Sequence, residues 1–87
     1  MGHRDRSVRS YTVSYFGLLA ERRGLFEEKV GSAADTPAGL YEELDAAHQL
    51  GLSIQNFRAA VNDEFVPWNH PLAAGDRIAF LPPMSGG

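Results

Sequence analysis

Thr36-Pro37-Ala38-Gly39-Leu40-Tyr41-Glu42-Glu43-Leu44-Asp45-Ala46-Ala47-His48-Gln49-Leu50-Gly51 carries both a helix start and a helix stop. The Thr36 side-chain oxygen can accept from the free N–H groups of a first turn, and Pro37 at the first helical position gives up an N–H that would have no partner there anyway. Leu40, Leu44 and Ala47 recur at helical spacing, and Gly51 just beyond Leu50 supplies a terminator. The spacing predicts a helix over residues 37–50, the one segment of the chain long enough to cover a sheet.

On the N-terminal side, Tyr11, Val13 and Tyr15 alternate with Ser10, Thr12 and Ser14, the period of a half-buried strand over 10–16. Phe16 then falls on the otherwise polar face. Residues 17–23 read as a short helix closed by Gly24, and a second strand is expected over 25–30. On the C-terminal side, Phe57, Ala59 and Val61 alternate as a third strand, Asn62 and Asp63 supply turn chemistry, and Phe65 and Val66 begin a short fourth strand that Pro67 cuts off. Gly75 and Asp76 make the next turn. Residues 77–81 form the last strand, with Ile78 and Phe80 on one face and Ala79 and Leu81 on the other. Strand, short helix, strand, long helix and three short strands make an α+β layer arrangement.

The 87 residues suit one domain, too small to enclose a deep enzyme cleft. With 44% hydrophobic and 22% charged residues the chain has the balance of a folding globular protein. The formal net charge is −3 and Lys29 is the only lysine, so no basic stripe exists for nucleic acid. Arg4, Arg6 and Arg9 cluster around Asp5 near the N-terminus, where residues 1–7 are expected to form a disordered arm that is given no function. There is no cysteine, which excludes disulfides, thiolate metal sites, iron–sulfur clusters and a cysteine nucleophile. No apolar run has the length to span a bilayer and the N-terminus lacks the apolar core of a signal peptide, so no membrane association and a cytoplasmic location are expected.

The last six residues are Pro82, Pro83, Met84, Ser85, Gly86 and Gly87. Each proline lacks an N–H and pushes the residue before it towards extended geometry, so Pro82 and Pro83 are expected to stop sheet pairing and project a tail, residues 82–87. Six extended residues reach roughly 20 Å, enough to enter another protein's active site. Gly86 and Gly87 lack side chains and can pass a channel too narrow for a Cβ. A carboxylate at Gly87 is an anion at neutral pH and a poor electrophile, so replacing its oxygen requires activation, which ATP-dependent adenylation by a partner enzyme would supply.

Ala59-Ala60-Val61-Asn62, His70-Pro71-Leu72, Gly75-Asp76, Ile78-Ala79-Phe80 and Pro82-Pro83-Met84-Ser85-Gly86-Gly87 together resemble the MoaD-type small subunits of molybdopterin synthase, the ubiquitin-like sulfur carriers of molybdenum-cofactor biosynthesis. Tyr15-Phe16 and Thr36-Pro37 are similar but less specific. The resemblance implies a β-grasp fold over residues 8–81, with a mixed sheet of about five strands on one main helix. It implies that an E1-like adenylyltransferase uses ATP to adenylate Gly87, that a sulfur donor converts the end to a thiocarboxylate, and that the tail enters the large synthase subunit. There the sulfur would attack a cyclic pterin phosphate precursor. The family works as a heterotetramer, the small subunit acting as co-substrate with no bound cofactor. Phe16, Phe65 and Leu81, off the core-facing registers, look like positions that contact the large subunit, together with Pro82, Pro83, Met84 and Ser85. Because the chain holds no thiol, the sulfur added at Gly87 would be its only strongly nucleophilic sulfur; Met84 is a thioether.

Other candidates carry less. His70 before Pro71 reads as a turn residue, His48 on the long helix has no partner at metal spacing, and His3 lies in the arm, so no metal site is assigned. Glu27/Glu28, Glu42/Glu43 and Asp63/Glu64 are adjacent and point apart, which makes them solvated faces and not acid–base pairs. Three other functions stay open: a sulfur carrier of thiazole synthesis, a ubiquitin-like modifier of protein lysines, and a plain interaction domain with an inert tail. Pro82-Pro83 and His70-Pro71-Leu72 favour the molybdopterin reading over the thiazole one.

Overall fold

Alternation of Tyr11, Val13 and Tyr15 with smaller polar residues produces the central strand β1 (Arg9–Tyr15) in the computed structural model, which describes residues 8–82. The arm 1–7 and Pro83, Met84, Ser85, Gly86 and Gly87 lie outside the described residues. All three apolar side chains of β1 are buried. The strand stops one residue before the expected end, so Phe16 leads instead into a corner at Gly17. Helix α1 (Leu18–Arg23) follows and is closed by Gly24 at φ 85°, whose N–H donates to the Ala20 carbonyl at 2.8 Å. Here the glycine is required, since a side chain is disfavoured in the left-handed region.

Strand β2 (Glu27–Ser32) begins two residues later than the sequence suggests. Leu25 and Phe26 are spent on turning from α1, although the Phe26 carbonyl already accepts from the Tyr15 N–H at 2.8 Å. Helix α2 (Pro37–His48) starts where predicted, with Thr36 Oγ1 accepting from the Gly39 N–H at 3.1 Å. It ends two residues early. Gln49 takes the left-handed cap position at φ 54°, ahead of Gly51, whose own N–H reaches Asp45 Oδ1 at 2.8 Å. Its buried side is Pro37, Leu40, Tyr41 and Leu44; Ala47 is exposed and Tyr41 does the covering expected of it.

A 3₁₀ turn at Ile54–Asn56, not anticipated from the sequence, leads into β3 (Arg58–Val61). Asn62 and Asp63, both at positive φ, form the tight hairpin to β4 (Glu64–Val66). Strand β5 (Arg77–Leu81) completes a sheet of order β2-β1-β5-β3-β4, in which β1 and β5 are parallel and every other pair antiparallel. A parallel central pair flanked by two hairpins and covered on one face by α2 is the β-grasp arrangement.

The core lies between α2 and the inward face of the sheet, where Tyr11, Val13, Tyr15, Ile78 and Phe80 meet Leu40, Tyr41 and Leu44. Tyr41 packs edge-on to Phe80 with ring centroids 5.4 Å apart, and Trp68 stacks on Phe80 at 5.9 Å. The buried tyrosines keep their hydroxyls paired: Tyr11 donates to the Ala34 carbonyl and Tyr41 to the Leu52 carbonyl, both at 2.6 Å. Burying aromatic area while retaining these bonds avoids the cost of an unsatisfied hydroxyl.

Candidate functional site

The period of two along each strand divides the sheet, so residues not facing α2 form an outer surface. Register places Ser10, Thr12 and Ser14 of β1, Arg77, Ala79 and Leu81 of β5, Arg58 and Ala60 of β3 and Phe65 of β4 on that face. Phe65 is directly opposite Ala60, which is opposite Ala79, giving an apolar row across three strands. Phe65 is 55% exposed and Phe16 44% exposed, an unusual expense of aromatic surface in so small a domain. Leu81 is half-buried and paired with Arg58 on β3, one residue beyond Phe80, the last β5 residue that pairs with β1.

The described chain ends at Pro82, directly after this row. Gly17 borders it: a Cβ on Gly17 would meet Pro82 Cγ at 3.6 Å. Gly17 also sits at φ 60°, ψ −134°, a conformation open in practice to glycine alone. The corner that turns Phe16 outward and the point where β5 leaves the sheet are thus one place. Of the predicted contact residues, Phe16 and Pro82 flank the Gly17 corner and Leu81 directly precedes Pro82, whereas Phe65 stands on the edge strand β4 with β3 between it and Leu81; Pro83, Met84, Ser85, Gly86 and Gly87 fall outside the described residues.

Behind this corner, Glu28 is not the solvated carboxylate expected. Arg23 grips it with Nε to Oε2 at 2.8 Å and Nη2 to Oε1 at 2.6 Å, while the Tyr15 hydroxyl donates to Oε2 at 2.6 Å. The Arg23 hydrogen bond, against the opposing effect of partial burial, holds the Glu28 carboxyl below its usual range. Burial first, and then the Glu28 acceptor, push the Tyr15 hydroxyl well above the usual tyrosine value. The Tyr41 hydroxyl is likewise raised, chiefly by burial. These groups act as structural ties, each hydroxyl already hydrogen-bonded within the fold. His70 is a turn residue, its N–H donating to the Pro67 carbonyl at 3.0 Å. Among the described residues no group of three His, Asp or Glu side chains gathers to hold a metal ion, and no helix is long and apolar enough to cross a membrane.

Sequence reading missed Arg58. Its guanidinium carbon lies 4.4 Å from the centroid of the Phe65 ring. The signal was available: a two-residue turn at Asn62-Asp63 sets Phe65 opposite Ala60 and hence diagonal to Arg58.

The sequence pattern of the ThiS family matches residues 13–87, nearly the whole chain. The chain belongs to the ThiS family. This ThiS-family chain is 33% identical over 78 residues to the molybdopterin synthase sulfur carrier subunit of Escherichia coli (strain K12), covering 86% of this chain and 96% of that one. Among solved structures it is similar to SAMP1 from Haloferax volcanii, with TM-score 0.73, 28% identity and coverage of 90% and 99% of the two chains. It is also similar to a chain in the complex of subunits 1 and 2 of molybdopterin-converting factor from Helicobacter pylori 26695, with TM-score 0.63, 26% identity and the same coverage. The β-grasp fold that the resemblance to MoaD-type small subunits implies is the fold found.

Proposed function

We propose that this chain is the sulfur-carrying small subunit of a molybdopterin synthase. The observation that carries the reading is the 33% identity to a molybdopterin synthase sulfur carrier subunit over 96% of that protein's length. In the cycle, an E1-like enzyme joins the Gly87 carboxylate to AMP from ATP, releasing pyrophosphate. A sulfur donor then displaces AMP to leave a thiocarboxylate. The outer sheet face, through Phe16, Phe65 and Leu81, docks on the large subunit while residues 82–87 deliver the sulfur to a cyclic pterin phosphate in its active site. Two copies of each subunit make the working assembly, in the cytoplasm. The exposed Phe16 beside the Gly17–Pro82 corner and the exposed Phe65 on the same sheet face support this, because docking there would aim the tail and bury surface that water otherwise wets.

Intact-protein mass spectrometry after incubation with the activating enzyme, ATP and a sulfur donor tests the proposal. The expected result is exchange of one oxygen for one sulfur, lost when Gly87 is deleted. Transfer to the molybdopterin synthase large subunit should then yield product, whereas transfer only to a thiazole-forming acceptor would replace this reading with the thiazole one. The likeness to SAMP1, a small archaeal modifier protein, supports a second reading as a ubiquitin-like modifier. In that case Gly87 would appear in isopeptide adducts, and Lys29, the only lysine, would restrict chains to one linkage.

A further inference from the structure

The outer sheet face is charged opposite to the rest of the chain. Register places Lys29, Arg77 and Arg58 on it against one carboxylate, Glu27, in a chain of net charge −3. On α2, across the sheet, Glu42 and Glu43 are exposed and Asp45 is half-buried. Arg77 is spoken for in part, with Nη2 4.0 Å from Glu27 Oε2. Arg58 is not: among the described residues the ion pairs are Arg23–Glu28 and Arg77–Glu27, and Arg58 has no side-chain hydrogen bond.

Its position is nonetheless organised. The guanidinium rests over Phe65 at 4.4 Å, and the Arg58 backbone pairs with Leu81, the last strand residue before the tail. Stacking uses the flat face of the guanidinium and leaves its in-plane N–H groups free, and those groups match the two oxygens of a carboxylate. Despite this contact, Phe65 remains 55% exposed.

Taking the small-subunit reading as the basis, we propose that Arg58 is a specificity residue of the docking face, and that the large subunit meets it with an Asp or Glu carboxylate set beside an apolar pocket for Phe65. The carboxylate closes a fork on Arg58 while the pocket covers the exposed side of the ring. Because Arg58 sits across from Leu81, that contact sets the register of docking at the base of the tail. A large subunit offering an apolar or cationic group there is disfavoured, since it would bury the guanidinium without a partner.

The test is isothermal titration of the large subunit from the same genome with this chain and with Arg58→Lys, Arg58→Leu and Arg58→Glu, at low and high salt, with thermal melting of each variant as control. The expected result is unchanged melting, affinity lowered about tenfold for Arg58→Leu and further for Arg58→Glu, and a partial loss for Arg58→Lys, which keeps the charge but not the planar fork. Wild-type affinity should weaken with salt, and replacing the facing carboxylate with Arg should restore binding of Arg58→Glu. If Arg58→Leu binds as tightly as wild type, or wild-type affinity ignores salt, Arg58 merely shields Phe65 and this inference alone is overturned. If the wild-type chain does not bind the large subunit at all, the small-subunit reading fails and takes the inference with it.

Discussion

The Tyr15 hydroxyl donates to Glu28 Oε2 at 2.6 Å, joining the central strand to the edge strand through a carboxylate that Arg23 of α1 also holds. Three consecutive elements meet on one side chain, and the corner they frame is the one that turns Phe16 outward beside Pro82. With only 16% of the Glu28 side chain and 20% of the Arg23 side chain exposed, water cannot replace either partner fully.

Glu28→Ala should therefore cost about 2 kcal/mol, since it leaves the Tyr15 hydroxyl and the Arg23 guanidinium without their acceptor. Urea denaturation measures this. The pH dependence has a definite sign. Glu28 is held below its ordinary value of 4.5 in the folded state, so its contribution is complete above that pH and is lost as pH falls through the lower folded value. Wild type should lose stability on acidification below about pH 4.5 more steeply than Glu28→Ala. Tyr15 has the opposite sense: raised in the folded state, it should weaken stability only as pH climbs above 10.0.

Thr36→Ala should cost about 1 kcal/mol by removing the side-chain acceptor that caps α2 at the Gly39 N–H. Thr36→Ser should retain most of the stability. A drop in denaturation midpoint with an unchanged slope would show that the cap, not the extent of the folded core, had changed.

Gly17→Ala should destabilise by about 1–3 kcal/mol, because φ 60° with ψ −134° is open in practice only to glycine. The added methyl itself would find room, meeting Pro82 Cγ at an ordinary 3.6 Å, so the loss would be backbone strain and not a clash. Thermal melting gives the size of the loss. Accompanying line shifts of Phe16 and Pro82 in NMR spectra would show that the strain is relieved at this corner.

Phe16→Ser and Phe65→Ser should each cost only about 1 kcal/mol of stability, since about half of each side chain is already in water. Binding to the large subunit should nonetheless fall about tenfold or more for each. Equal binding by both variants would remove the outer face from the proposed interface. Phe80→Ala, with a fully buried ring, is the contrasting control and should cost about 3–5 kcal/mol.

The elements that were legible in the chain are those whose causes are local. Thr36-Pro37 and the leucine spacing located the start of α2, the alternation of Tyr11, Val13 and Tyr15 located β1, and Asn62-Asp63 marked the hairpin. The errors fall where a distant contact decides an end. Gln49 took a left-handed conformation before Gly51 could, the start of β2 waited until the chain had turned off α1, and the 3₁₀ turn at Ile54–Asn56 has no periodic signal to announce it.

For the site the division is similar. Residue alternation alone was enough to set Phe16, Phe65 and Leu81 apart from the core, and the run of short motifs from Ala59 to Gly87 was enough to suggest a family, because both are read along one dimension. That Arg58 lies over Phe65, that Glu28 is a half-buried tie and not a solvated charge, and that Gly17 adjoins Pro82 became visible only in three dimensions. Each joins residues that the sheet register or a helix corner brings together, and pairing energies between strands depend on neighbours that a single strand does not contain.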